Sequence, residues 1–232
     1  MDPFDPNRML LNACLGGHVD VVQLMIEKGA TDWNSGLHEA CLGGHLDIVH
    51  LMIEKGATDW DTGLTGACRG GHLSLVQFMM DKGANDWNWG MVGACQGGHL
   101  AIVQLMIEKG ATSWDFGLSG ACMGGGHVDA VQLMIDEGAT DWNFGLYCAC
   151  QDGGNMGIAA VMVDQGATDV ISILRLSPDN QYEIYKQVTK MKSRVRLALR
   201  PGLQEKLRAM WFNVLRNKLP EDLSRAIVSH YL

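Results

Sequence analysis

A block of 27 residues that returns along most of the chain limits its possible folds more than any other feature. The stretch from Gly36 to Trp60, GLHEACLGGHLDIVHLMIEKGATDW, has close copies on both sides, and the cysteine of its Ala-Cys pair recurs at Cys14, Cys41, Cys68, Cys95, Cys122 and Cys150. The first four steps are 27 residues and the last is 28. His18, His45, His72, His99 and His127 keep the same beat, as do Trp33, Trp60, Trp87, Trp114 and Trp142, and the extra residue falls in the glycine run Gly124-Gly125-Gly126. Self-similarity at such a period marks a stacked array of small units rather than one core assembled from unrelated segments.

Within a copy, Gly36 to Leu42 reads as a short helix rich in small residues, ended by Gly43-Gly44 because glycine tolerates the left-handed turn at a helix C-terminus. A second helix is expected from Leu46 to Lys55, with Leu46, Val49, Met52 and Ile53 at spacings of three and four on one apolar stripe, and Gly56 closing it. Ala57 to Asp61, including Trp60, would carry the chain back to the next copy. A unit of this size cannot bury its apolar face alone, so its stability comes from its neighbours.

These residues carry a family resemblance. The run A-C-x-G-G-H-x-D-I-V-x-L-M-I-E-K-G-A resembles the ankyrin repeat, with Gly36-Leu37-His38 standing where that family usually has T-P-L-H. The usual ankyrin unit has about 33 residues; the shortfall lies where the projecting β-hairpin normally forms. Arrays of this shortened D-W-N-x-G-L-x-x-A-C-x-G-G-H type are similar to those of large double-stranded DNA viruses. The resemblance spans roughly residues 9 to 169 and implies an all-α ankyrin-repeat solenoid, built of short repeats without β-hairpins and closed by a helical C-terminal cap. It implies no particular ligand, since fold and function are separable. Two domains are expected: an array of about six units over 1–169, caps included, and a basic helical appendage over 170–232.

At the N-terminus, Asp5-Pro6 supplies an N-cap and a proline at the first helical position, starting a helix with Met9, Leu10, Ala13 and Cys14, and with Asn7 and Arg8 facing water. In the sixth unit Gly153-Gly154-Asn155-Met156 replaces the Gly-Gly-His turn. Beyond Asp169 the pattern changes to amphipathic helices launched at Ser177-Pro178-Asp179 and Pro220, with a break at Pro201-Gly202.

Six of the seven cysteines fill one apolar helix slot, which reads as buried reduced thiols in a cytosolic or nuclear protein rather than a disulfide framework. No apolar run reaches the length of a membrane span, and the first residues lack the basic and apolar regions of a signal peptide. An intracellular protein in host cytoplasm or nucleus is expected. Charge is divided unevenly: residues 1–169 carry 21 Asp and Glu against 6 Lys and Arg, and residues 170–232 carry 5 against 12.

The recurring Cys41-x-x-x-His45 pair invites a zinc reading, but zinc requires about four ligands within about 2.0–2.3 Å, and stacked helices stand about 8–10 Å apart. Structural cysteines and backbone-bonded histidines are expected instead, with no metal and no cofactor. Cys148-Ala149-Cys150 is a weak redox signal, because Cys148 takes the slot of Gly120 one unit earlier. No nucleotide loop, nucleophilic triad or paired-carboxylate site is visible, so an enzyme is not expected. The tryptophans read either as a column holding successive loops together or as an exposed ligand ladder.

Differences between copies carry the information about a ligand. Two positions after Trp the slot reads Ser35, Thr62, Trp89, Phe116, Phe144; after Leu or Met it reads His38, Thr65, Val92, Ser119, Tyr147; after Cys it reads Leu15, Leu42, Arg69, Gln96, Met123, Gln151. The ankyrin resemblance places these slots on the concave face where such arrays hold protein partners. The expected partner-binding residues are Arg69, Trp89, Val92, Gln96, Phe116, Ser119, Met123, Phe144 and Tyr147, since aromatics and Arg dominate interface energetics. In the tail, Lys186, Lys190, Lys192, Arg194, Arg196 and Arg200 suit either phosphate backbones or an acidic protein surface. The segment Leu219 to Ile227 resembles the start of an F-box, L-P-x-E/D-L-x-x-x-I, which implies contact of Leu219, Pro220, Leu223 and Ile227 with the Skp-type adaptor of a ubiquitin ligase. The favoured reading is a viral adaptor that binds a host protein; nucleic-acid association through the basic tail is the alternative.

Overall fold

The computed structural model describes residues 5–151 and 155–167, all of it helix, turn and loop. The contacts divide the chain into two units, the first ending at Gly138 and the second beginning at Ala139. The first holds five helix pairs: α1 (Pro6–Gly16) and α2 (Val19–Glu27), α3 (Trp33–Gly43) and α4 (Leu46–Lys55), α5 (Trp60–Gly70) and α6 (Leu73–Asp81), α7 (Trp87–Gly97) and α8 (Leu100–Lys109), α9 (Trp114–Met123) and α10 (Val128–Glu137). The second unit holds a sixth pair, α11 (Trp142–Ala149) and α12 (Met156–Gln165). Among the described residues there is no strand, in keeping with the shortened return segment. The boundary expected at 169/170, the tail helices and the F-box-like segment lie outside the described residues.

From α3 to α11 each first helix begins at its Trp, three residues earlier than the spacing suggests. The aspartate before it is the reason: Asp32, Asp59 and Asp86 accept the N–H of Ser35, Thr62 and Trp89 at 3.3, 3.0 and 3.2 Å, which satisfies one of the orphan donors of the first turn. Asp5 does the same for α1 through Asn7, with Pro6 at the first position, as expected. The first helices end where Gly17, Gly44, Gly71 and Gly98 turn left-handed.

The core repeats with the sequence. From each first helix come residues such as Leu37, Ala40 and Cys41, and from each second helix Ile48, Val49 and Met52, with Ala57 closing the loop, all buried. The apolar stripe of α4 is therefore centred on Ile48, Val49 and Met52; Leu46, expected to be buried, is exposed, and Ile53 is half-buried. A Cβ at Gly36, Gly63 or Gly90 would stand 2.6–2.7 Å from the sulfur of Met52, Met79 or Met106, so the glycine lets the two helices of one repeat close.

Successive repeats are joined by two polar ladders as well as by the core. In the first, His45, His72 and His99 donate from Nε2 to the carbonyls of Leu15, Leu42 and Arg69, each at 3.1 Å and each in the preceding repeat. Gly43, Gly70 and Gly97 lie against those same three carbonyls, and any side chain there would collide with them. The Gly-Gly-His turn thus combines a close approach, a left-handed cap and a bridge to the neighbour. In the second ladder the residue after Trp33, Trp60 and Trp87, and its counterpart Asn7 in α1, accepts two backbone N–H groups of the next return segment. Asn7 takes those of Thr31 and Asp32, Asn34 those of Thr58 and Asp59, Asp61 those of Asn85 and Asp86, and Asn88 those of Thr112 and Ser113, at 2.7–3.1 Å. Asn7 is therefore a half-buried rung and not the water-facing cap residue that its position suggests.

Candidate partner-binding face

The three variable slots fall at i, i+3 and i+7 along each first helix: 89, 92 and 96 on α7, and 116, 119 and 123 on α9. That spacing keeps them on one side of the helix. At about 1.5 Å per residue, the outer two stand about 10 Å apart along it. In the first unit, first helix packs on first helix through α1, α3, α5, α7 and α9, so these sides form a continuous surface.

Its outer slots are open and its middle slot closes towards the later repeats. Trp89 and Phe116 are 57% and 60% exposed, with ring centroids 6.4 Å apart and planes tilted by 31°. Met123 is 56% exposed; Arg69 is exposed and Gln96 half-buried. In the middle slot, by contrast, Val92 and Ser119 are buried, each 7% exposed, and cannot reach a partner. Val92 is covered where α9, bare of a side chain at Gly120, settles onto α7. The Val92 methyl lies 3.3 Å from where a Cβ on Gly120 would stand. Ser119 turns its hydroxyl back to donate to the Phe116 carbonyl at 2.8 Å.

In the second unit Phe144 is exposed and Tyr147 half-buried, and their rings stack at 6.0 Å and 10°.

Five of the seven cysteines are held as protonated thiols. All seven are buried and unpaired by disulfide. Burial pushes the thiols of Cys41, Cys68 and Cys95 up to about 12; Cys14 also rises to about 12, through burial first and the Glu39 charge second. Cys148 rises to about 11 from burial and then Asp141. A thiol held protonated is a poor nucleophile and a poor metal ligand. His45, His72 and His99, four residues after Cys41, Cys68 and Cys95, are engaged in turn, each Nε2–H committed to a carbonyl. Among the described residues, no three His, Cys, Asp or Glu side chains gather closely enough to hold a metal ion. No helix among them is long and apolar enough to cross a membrane.

The tryptophans stand half-buried at the first position of their helices, and no ring contact joins those of successive repeats among the described residues. The rung between loops, expected from the indoles, is the Asn or Asp beside them. Its signal was present in the sequence, since only Asn or Asp occupies that slot at Asn34, Asp61, Asn88, Asp115 and Asn143.

A family model described as "Ankyrin repeats (3 copies)" matches residues 37–116, and one described as "Ankyrin repeats (many copies)" matches residues 10–53. A search of the curated proteins found no match. Among solved structures, 116 chains match. One is the crystal structure of the human ASB11 ankyrin repeat domain, 22% identical, covering 77% of this chain and 96% of that one, with a TM-score of 0.47.

Proposed function

Residues 10–116 being an ankyrin-repeat array, we propose that the chain is a non-enzymatic scaffold that holds a protein partner on the exposed side of its first helices. Ankyrin repeats generally mediate protein–protein interaction, and one observation carries the site. Trp89 and Phe116, on adjacent helices, expose most of their surface and touch each other while the core closes without them. Large aromatics left in water next to one another are the usual anchors of an interface. Arg69 on α5, Gln96 on α7 and Met123 on α9 extend the face, and in the second unit Phe144 and Tyr147 form an aromatic pair of their own on α11. The partner is read as a host protein because the shortened repeat resembles those of large double-stranded DNA viruses. The F-box-like segment at Leu219, Pro220, Leu223 and Ile227 would then present that partner to the Skp-type adaptor of a ubiquitin ligase.

The test is capture from host cytosol by the wild-type chain and by the Trp89→Ala/Phe116→Ala variant, with identification of what is retained. Proteins held by the wild type and lost by the variant support the face; identical captures refute it. For the ligase arm, purified adaptor should bind the wild type and not Leu223→Asp/Ile227→Asp, and failure to bind the wild type removes that arm. Binding of nucleic acid that weakens steeply with salt would favour the basic tail as the working surface instead.

A further inference from the structure

We infer that the first unit has a weak joint at the repeat formed by α9 and α10, and that opening of that unit begins there. The repeats formed by α3–α4, α5–α6 and α7–α8 share three ties. Their first helix is capped by an aspartate side chain at 3.0–3.3 Å. It ends on a left-handed glycine whose N–H returns to the last turn, as at Gly44, Gly71 and Gly98. Their histidine bridges to the preceding repeat at 3.1 Å.

The α9–α10 repeat lacks all three. Ser113 replaces the aspartate and makes no side-chain cap. Gly124 keeps φ at −84°, and its N–H reaches only the Gly120 carbonyl; the left-handed turn moves on to Gly125 and Gly126. His127 still lies against Gly98, as His99 lies against Gly71, but with the one added residue it makes no bond to the carbonyl that its counterparts reach. What still joins this repeat to the one before is the packing of α9 on α7 and of α10 on α8, the contact of Phe116 with Trp89 and the Asn88 rung.

When each repeat touches only its neighbours, stability is a sum of local terms, and partial opening starts where those terms are smallest. The inference rests on the fold alone and does not depend on the partner-binding reading, although Phe116 and Met123 both ride on α9.

Hydrogen exchange on the full chain, read by mass spectrometry, tests it. Amides of α9 and α10 should exchange about 10–30-fold faster than those of α5 to α8, the ratio expected from losing a cap and a bridging hydrogen bond. Ser113→Asp combined with deletion of Gly125 restores both the cap and the 27-residue step, and should bring that exchange back towards the level of α5 to α8. Ser113→Asp alone should recover part of it and keeps the test open if the deletion impairs folding. Conversely, a glycine inserted between Gly70 and Gly71 should make α5 and α6 comparably labile. Equal protection of α9–α10 and α5–α8 in the wild type, or unchanged exchange in Ser113→Asp, overturns the inference.

Discussion

Asn88→Ala should destabilise the array by about 1–2 kcal/mol, while Asn88→Asp should be nearly neutral. The Asn88 side chain uses only its oxygen, which accepts from Thr112 and Ser113 of the next return segment at 2.9 and 3.0 Å. Two such bonds contribute about 0.5–1.5 kcal/mol each. The exposed Thr112 N–H regains water in the variant, whereas that of Ser113, half-buried, regains less. Alanine's better helix propensity at this first-turn position of α7 returns about 0.6 kcal/mol, which sets the net value. Aspartate keeps both acceptor contacts, and Asp61 already does this work one repeat earlier at 2.7 and 2.8 Å. Urea unfolding followed by far-UV circular dichroism, with midpoint and slope fitted separately, gives both numbers. An aspartate variant as unstable as the alanine variant, or an alanine loss below about 0.5 kcal/mol, would show that the rung is not what ties the return segments together.

Three further outcomes follow from the same geometry. Gly70→Ala drives a Cβ onto the Leu42 carbonyl and to 2.6 Å from the His72 ring, so it should cost about 2–4 kcal/mol through overpacking and a lost bridge; Gly83→Ala, at φ 108° in open space, should cost only about 1–2 kcal/mol of backbone strain in the same urea assay. Cys14, Cys41, Cys68 and Cys95 should resist a thiol reagent in the native protein and react when it is unfolded. Their folded values lie above the ordinary 9.0, so their contribution is complete below pH 9 and declines as pH rises towards about 12, by up to about 1.4 kcal/mol per pH unit for each titrating thiol; melting curves from pH 8 upward should fall less steeply in Cys68→Ala than in the wild type. Trp89→Ala/Phe116→Ala should shift the unfolding free energy by no more than about 0.5 kcal/mol, because the core does not contain these rings; a larger loss would place them in it.

Local chemistry repeated every 27 residues determined the helix pairs, their turns and most of the core, and these could be read from the sequence alone. The second helix runs over Leu46–Lys55 as its periodicity indicates, Cys41 and its equivalents are buried, and Asp5-Pro6 opens α1. Each of these depends on neighbours within one or two helical turns. The start of the first helix was legible too, in the aspartate before Trp33, Trp60, Trp87 and Trp142, but the size of the indole drew attention to the wrong residue. Only the stacking of repeats decided the rest, because the deciding contacts span 24 to 30 residues. Asn34 becomes a rung because the next return segment brings two N–H groups to its oxygen, and His45 becomes a bridge because Gly43 admits the Leu15 carbonyl. The candidate face divides for the same reason. Trp89 and Val92 look equally free as variable positions, yet the bare backbone at Gly120 lets α9 close over Val92 and leaves Trp89 in water. A repeat pattern specifies what one unit is, whereas exposure depends on how near the next unit comes, and that distance is set by side chains one repeat away.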